Sequence, residues 1–282
     1  MDPFQFFLIV LLGSIIAGVL GALLGLGGGI IIIPMLTLAL GVDIHYAIGA
    51  SIVSVIATSS GAAAAYVRDR ITNLRIGMLL EITTTTGAVS GAFIAGLISV
   101  KVLYIIFAVV LAYSAVSMFR KQHDERQPDV QAHPWARRLR LAGAYSDARQ
   151  GRVVAYDVAG VPLALALMYV AGTVSGLLGI GGGILKVPAM DMAMKLPMKV
   201  STATSNFMIG VTAAASAGVY FARGDIVPFI AGPVALGVLI GATLGTHLMI
   251  RLNNRSIRQV FVVVLIAVAV QMAARGLGIG LS

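Results

Sequence analysis

The stretch Gly25-Leu26-Gly27-Gly28-Gly29 decides the fold, because the chain repeats it as Gly179-Ile180-Gly181-Gly182-Gly183. In both copies a proline follows five residues after the last glycine, at Pro34 and Pro188. A shift of 154 positions aligns the two copies without a gap, and identical residues continue downstream of them. The sequence therefore predicts one structural unit that is used twice, over residues 1–119 and 158–282, with a hydrophilic connector over residues 120–157.

The composition is that of a membrane protein. Hydrophobic residues make up 59% of the chain and charged residues 11%, with a mean hydropathy of +0.97, whereas soluble proteins carry about 25% charged residues. Several apolar runs reach the ~20 residues that a helix needs to cross a bilayer. The sequence therefore predicts an all-α polytopic membrane protein, with the lipid bilayer as its first partner.

Charge and residue usage argue against several other functions. The net charge of +9 comes from lysines and arginines in loops between apolar runs, where membrane topology explains them without a nucleic-acid partner. The chain has no cysteine, which excludes disulfides and thiolate chemistry, and its four histidines lack the spacing of a metal site. We therefore expect no metal, no cofactor and no enzymatic activity.

A run of glycines inside apolar sequence needs a physical reason. Each glycine costs a helix about 1 kcal/mol relative to alanine, and non-helical backbone at membrane depth persists only where protein or a water-filled cavity surrounds it. A helix that begins at Ile30 or Ile184 would direct its free N–H groups into that cavity, which favours an anion there. Transporters bind substrates at such broken helices, in matching positions of two repeats. The alternative is that the glycines only permit close helix packing, as we expect for Gly87 and Gly241.

The distribution of lysine and arginine predicts how the two halves face. If the two helical legs around each glycine run form a hairpin that returns to its own side, the two halves are inverted. With the connector in the cytoplasm, the basic residues of loops 68–75 and 251–258 then also lie in the cytoplasm, as the positive-inside rule requires. Parallel halves would place most basic residues of the second half outside. We therefore expect two inverted repeats, each a glycine-broken helical hairpin plus about three membrane-spanning helices.

Three acidic or basic residues lie in or near apolar segments and are functional candidates. Lys186 follows the second glycine run by three residues, where the first copy has an isoleucine. A charge there is costly and points to function, unless the side chain extends to the interface. Asp191, further along the same segment, could pair with Lys186 or cap the end of the segment. Glu81 could carry a proton, but a salt bridge with Arg75 or Arg70 is the favoured interpretation.

A cluster of small polar residues opens the segment after the second glycine run. Thr204, Ser205 and Asn206 supply hydroxyl and amide groups, which are the neutral donors that suit an oxyanion. The first half carries Ser51 at the position of Ser205. The alternative is an N-cap formed by residue 201 or 202, which would explain one member of the cluster.

The chain resembles the TauE/SafE-like sulfite exporters, also called the toluene-sulfonate uptake permease family. The likeness rests on the second glycine run, on Lys186-Val187-Pro188-Ala189-Met190, on residues 197–200 and 203–212, and on Ala222-Arg223-Gly224-Asp225. The first glycine run and residues 49–51 also fit, so the resemblance covers essentially the whole chain. It implies a secondary transporter in the inner membrane of a bacterium or archaeon that moves sulfite, sulfonates or related organosulfur anions. Members of the family differ in substrate and in direction.

Both lines of inference lead to an anion transporter, and export is the direction that we expect. The predicted site combines a backbone cradle with side-chain ligands. The cradle is Gly27, Gly28, Gly29, Gly181, Gly182 and Gly183, and the ligands are Ser51, Lys186, Thr204, Ser205 and Asn206. Glu81 and Asp191 are the candidates for coupling transport to a proton. The alternatives are an anion channel, a permease for a small carboxylate and, more distantly, an intramembrane enzyme.

Overall fold

A computed structural model describes residues 2–24, 28–68, 71–120, 133–147, 152–249 and 266–279, which form helices and one short β-hairpin. The first half contains α1 (Pro3–Leu24), α2 (Gly29–Pro34), a π-helix (Met35–Ala39), α3 (Ile44–Arg68), α4 (Leu74–Ala95) and α5 (Val100–Arg120). The connector contains α6 (Pro134–Arg138), β1 (Gly143–Asp147) and β2 (Arg152–Tyr156). The second half contains α7 (Val161–Leu178), α8 (Gly183–Met194), α9 (Met198–Ala222), α10 (Pro228–Met249) and α11 (Ile266–Gly276).

The helices have the length and the surface of a membrane protein. Among the described residues, three helical segments are long and apolar enough to cross a bilayer, namely Pro3–Gly21 of α1, all of α4 and all of α7. Large apolar side chains stand on their outer faces, with Phe4 70%, Ile82 66% and Phe93 61% exposed. Such a surface is unfavourable in water and matches lipid tails. The structure therefore agrees with the predicted all-α membrane protein, apart from the small hairpin.

The helix boundaries follow the 154-residue repeat. α3 and α9 have 25 residues each, α4 and α10 have 22 each, and the members of each pair begin 154 positions apart. The short helices differ, because α8 has 12 residues whereas α2 has six and continues as a π-helix of five. Pro188 lies inside α8, so the matching Pro34 does not by itself produce the π-helix.

Two parallel helix pairs join the halves, α1 with α10 and α4 with α7. A Cβ at Gly91 would overlap the carbonyl oxygen of Thr173, and a Cβ at Gly241 would overlap that of Ile15. Small residues at such crossings let helix backbones approach closely within a membrane. A Cβ at Gly87 would likewise overlap the α7 backbone, so the expected packing role of Gly87 and Gly241 is confirmed.

Contacts between helix ends define two faces of the helix bundle. On one face the start of α4 meets α9, where the Asn73 N–H donates to Thr204 Oγ1 at 3.1 Å. On the other face the end of α4 meets the start of α3, where His45 Nε2 lies 3.3 Å from the Ala95 oxygen. The end of α9 reaches the same face through Arg223, which donates to a carbonyl oxygen of α4 at 2.8 Å. α3 and α9 therefore begin at opposite ends of α4.

The connector packs against the face where α4 begins. The Asn73 amide donates to the Leu141 oxygen at 2.8 Å and to the Tyr156 hydroxyl at 2.9 Å. The Ala159 N–H donates to the oxygen of Met194, the last residue of α8, at 3.1 Å. Outside the described residues lie 121–132 and 148–151 of the connector, the loop 251–258, and residues 69 and 70. Arg70, which the sequence offers as a salt-bridge partner of Glu81, is therefore not described.

Candidate functional site

The second glycine run forms a break between α7 and α8. α7 ends at Leu178, and Gly179, Gly181 and Gly182 follow with φ of 65°, 74° and 70°. A Cβ costs about 1–2 kcal/mol per residue in this left-handed region. Three glycines of the run are therefore required by backbone conformation, and close packing alone does not explain them.

The break directs the start of α8 into the space between α3 and α9. α8 begins at Gly183, and the Leu185 and Lys186 N–H groups donate to the Gly182 oxygen at 3.0 and 2.9 Å. The N–H groups of the first two residues of α8 therefore have no partner within the helix and lie at the positive end of its dipole. A Cβ at Gly181 would lie 2.7 Å from Val55 Cγ1 on α3 and 2.8 Å from Ile209 Cγ2 on α9. The helix start is thus enclosed by protein, which is the condition for non-helical backbone at membrane depth.

The first glycine run differs from the second where the structure describes it. Gly28 has an ordinary right-handed φ of −69° at the start of α2. A Cβ there would lie 3.3 Å from Ile32 Cδ1 and 3.4 Å from Val238 Cγ2, which a small adjustment relieves. Backbone conformation therefore does not require glycine at position 28. Gly27, a member of the predicted cradle, lies outside the described residues.

The two glycine runs meet at Ser51. The Ser51 hydroxyl donates to the Gly179 oxygen at 2.8 Å, across 128 positions of sequence. A Cβ at Gly29 would overlap Ser51 Oγ and lie 3.2 Å from the Gly179 oxygen. Ser51 is therefore close to both runs, as the sequence predicts, although its hydroxyl proton is used by the backbone.

The polar cluster on α9 divides into residues with different surroundings. Ser205 Oγ is buried, lacks a hydrogen-bond partner among the described residues and would lie 3.7 Å from a Cβ at Gly183. Thr204 instead accepts from Asn73, and Asn206 is 5% exposed. The N-cap alternative is wrong, because α9 begins at residue 198 and no side chain caps it. Ser205 is thus the cluster member that the structure brings to the break.

Lys186 lies in the first turns of α8 and is 0% exposed. Its Nζ donates to Thr212 Oγ1 at 2.6 Å, and the same oxygen lies 2.6 Å from Glu81 Oε1. The alternative in which Lys186 extends to the interface is therefore wrong, since the ammonium is held between α9 and α4. A buried charge in such a place is retained only with partners, because isolated it would cost several kcal/mol.

Glu81 is a partner of Lys186 rather than of Arg75. Its Oε1 also accepts from Thr85 at 2.9 Å, and the residue is 8% exposed. Arg75 donates instead to a connector carbonyl oxygen at 3.0 Å, so the salt-bridge interpretation is wrong for that arginine. Asp191 follows Lys186 by five residues on α8, so the two side chains leave the helix about 140° apart. The structure thus pairs Lys186 with Glu81.

Two residues of this group were missed by sequence reasoning. Thr85 follows Glu81 by four positions, and the helical i, i+4 spacing is a signal that could have identified it. Thr212 lies within the stretch that carries the family resemblance, but it is 131 positions from Glu81. No local pattern links residues so far apart, and only the packing of α4 on α9 brings them together.

A cavity of about 320 Å³ lies away from this charged group, between α2, the π-helix and α11. Its walls are mainly apolar and include Ile30, Met35, Leu38 and Val268, with Gln271 as a polar member. Among the described residues, no group of three His, Cys, Asp or Glu side chains could hold a metal ion. Within the described membrane-spanning helices, Lys186 and Glu81 are therefore the charged groups that we consider for ligand binding or proton transfer.

Proteins of similar sequence bear the names of probable membrane transporters. The chain is 28% identical over 280 residues to the probable membrane transporter protein YunE of Bacillus subtilis (strain 168), covering 97% of this chain and 99% of that protein. It is 29% identical to a probable membrane transporter protein of Xylella fastidiosa (strain 9a5c), over 95% of each chain. It is 25% identical to the probable membrane transporter protein MJ0441 of Methanocaldococcus jannaschii, over 88% of this chain and 86% of the relative. No solved structure is significantly similar to the chain.

The family described as sulfite exporter TauE/SafE matches residues 10–272. The matched region contains both glycine runs, Lys186, Thr212 and Glu81. The chain is therefore a membrane transporter and belongs to the sulfite exporter TauE/SafE family.

Proposed function

We propose that the protein is a secondary transporter that exports a small organosulfur oxyanion, such as sulfite or a sulfonate, across the inner membrane. The observation that carries the proposal is the complete burial of Lys186 within a helix that starts at a glycine break. A cation and the positive end of a helix dipole then favour the same kind of ligand. The family name supports sulfite as the first anion to test.

The donors near the break suit an oxyanion. The first two N–H groups of α8 and the Ser205 hydroxyl are donors at the break itself, and the Lys186 ammonium is a third donor, further along α8 beside Thr212. A cradle of mostly neutral donors suits an anion that has to leave again. We assign the anion to the space beside Gly181, Gly182 and Gly183, with Ser51 and Asn206 at its edge.

The two halves provide unequal contributions to this site. Ile32 occupies the position of Lys186 in the first half and is fully buried. The first break is also right-handed at Gly28. The site therefore has one positive charge rather than two, which favours a monovalent or weakly charged anion over a strongly charged one.

We assign the halves an inverted arrangement, with the connector in the cytoplasm. The support is that α3 and α9, which occupy equivalent positions in the repeats, begin at opposite ends of α4. The basic loops near the connector follow the positive-inside rule in this arrangement. Inverted repeats that move around a site at their interface are a transporter architecture.

Ligand-dependent thermal stability of the purified protein tests the substrate class. A ligand that binds only the folded state raises the apparent stability by an amount that grows with the logarithm of one plus the ratio of its concentration to its Kd. We expect sulfite and methanesulfonate to raise Tm in a concentration-dependent way, and acetate at equal ionic strength to leave it unchanged. Stabilisation by acetate and not by the sulfur anions would contradict the proposal and favour a carboxylate permease.

A further inference from the structure

We infer that Glu81 is the proton-binding carboxylate of the transport cycle, and that it acts on the anion site through Thr212 and Lys186. The inference rests on the proposed function, because it assigns the coupling of the same site. Protonation of Glu81 frees Lys186 to neutralise a bound anion, so one proton moves with each monovalent anion.

The geometry around Thr212 couples these groups. Its Oγ1 lies 2.6 Å from Lys186 Nζ, 2.6 Å from Glu81 Oε1 and 2.8 Å from the Met208 carbonyl oxygen. An ammonium only donates and a carbonyl only accepts, whereas a carboxyl group accepts when ionised and can donate when protonated. The direction of the bond between Thr212 and Glu81 therefore depends on the proton of Glu81.

The three distances also accommodate the protonated form of Glu81. A threonine hydroxyl has one proton to donate and two lone pairs. With Glu81 ionised, both Glu81 and Met208 are acceptors, and Thr212 can donate to only one of them. With Glu81 protonated, Thr212 accepts from Lys186 and from Glu81 and donates to Met208, so all three contacts are hydrogen bonds at once.

Charge links this proton to the anion. An ionised Glu81 lies within about 5 Å of the Lys186 ammonium, a range in which opposite charges interact strongly, and it neutralises the lysine. An anion would then compete with Glu81 for a single cation. When Glu81 takes a proton from the water on the side where the anion enters, Lys186 needs a new counter-charge, and the anion supplies it. Both leave together on the other side.

The positions related to this group by the 154-residue repeat carry no charge. A shift of 154 positions replaces the group by uncharged residues, with Ile32 for Lys186, Thr58 for Thr212 and Ala235 for Glu81. Thr58 donates to a carbonyl oxygen of its own helix at 3.0 Å, as Thr212 can do to Met208. The related group therefore packs without an ion pair, which favours a role for the charges of Lys186 and Glu81 beyond folding.

α7 and α9 pack on α4, and α8 packs on both of them. Among the described residues of these three helices, Lys186 of α8 is the charged side chain that faces Glu81. On α7, the Tyr169 hydroxyl contacts Ser90 at 3.4 Å. On α9, the Tyr220 hydroxyl donates to the end of α7 at 2.8 Å, and the side chain at position 199 lies outside the described residues. Glu81 Oε2 is buried without a hydrogen-bond partner among the described residues, so Oε1 is the oxygen through which the carboxyl group acts on Thr212.

The test measures proton and anion movement together in proteoliposomes. Methanesulfonate is the probe because it is a monovalent anion at every working pH, so the anion itself carries no proton. A trapped dye reports the internal pH while labelled methanesulfonate reports uptake. Wild-type protein should acidify the interior by one proton per anion. Glu81→Gln should still exchange labelled for unlabelled methanesulfonate and should move no protons, and Asp191→Asn, the matched control, should keep proton movement.

Equilibrium binding provides a second measurement that needs no reconstitution. Wild-type affinity for methanesulfonate should fall about tenfold per pH unit above the pH at which Glu81 loses its proton, and affinity of Glu81→Gln should not depend on pH. Anion uptake without protons, sodium-driven uptake, or proton movement by Glu81→Gln would overturn the inference and leave the proposed function standing. Failure of wild-type protein to bind or move either methanesulfonate or sulfite would overturn both.

Discussion

At the scale of single residues, two buried serines on α9 differ in whether a functional or a structural role explains them. Ser205 and Ser201 are both buried serines on α9, and neither hydroxyl has a hydrogen-bond partner among the described residues. Ser205 is adjacent to the start of α8, and Ser201 precedes it by about one helical turn. Since an unpartnered buried hydroxyl is unfavourable for stability, its presence beside the break is explained if a ligand supplies the partner.

Ser205→Ala should weaken anion binding and leave the protein at least as stable. A hydrogen bond to a charged group contributes about 1.5–3 kcal/mol, so the affinity for methanesulfonate should fall about tenfold or more. Ser201→Ala is the control and should not alter the affinity. Calorimetry and thermal unfolding of both variants check this. Equal affinities in the two variants would remove Ser205 from the site.

At the scale of secondary-structure elements, the two breaks make different demands on their glycines. Gly182 has a φ of 70°, and a Cβ there would lie 2.7 Å from Ser175 Cβ. Gly28 is right-handed and only slightly crowded. The same substitution at matching positions of the repeats should therefore give different results.

Gly182→Ala should abolish transport and lower stability by about 1–2 kcal/mol, because alanine is strained in the left-handed region. Gly28→Ala should retain transport and stability, since its backbone suits alanine. Uptake of labelled sulfite and thermal unfolding are the measurements. If both variants transport normally, the second break does not shape the site.

At the scale of the whole molecule, the inverted arrangement can be tested at one pair of matching positions. Gly41 and Lys195 are 154 positions apart, and both follow a short helix and have a positive φ, 66° and 56°. In an inverted protein they lie on opposite sides of the membrane. The chain has no cysteine, so single cysteines can be introduced without a background signal.

An impermeant thiol reagent applied to intact cells should label Gly41→Cys and should label Lys195→Cys only after the membrane is permeabilised. Ala144→Cys in the connector should behave like Lys195→Cys. Labelling of positions 41 and 195 from the same side would contradict the inverted arrangement.

Much of the fold could be predicted from the sequence, because repeats and apolar runs are local patterns. The 154-residue repeat located α3 and α9, α4 and α10, and the break before α8. The π-helix after Pro34 could not be predicted, since the matching Pro188 lies in a regular α-helix. The partner of Glu81 was also predicted wrongly, because a sequence pattern shows only local neighbours. Arg75 is close in sequence, whereas the actual partners depend on long-range packing of α4 on α9.

The central claim is that Lys186 provides the counter-charge for the transported anion, and the most direct measurement compares two variants. Glu81→Gln is the reference, because replacing Lys186 alone would leave Glu81 as an unpaired buried charge. Adding Lys186→Met to Glu81→Gln should lower the affinity for methanesulfonate about a hundredfold or more, since the anion then enters without a cation. The account predicts this loss with a folded, monodisperse protein in both cases. Equal affinities in the single and double variants would show that Lys186 does not bind the anion.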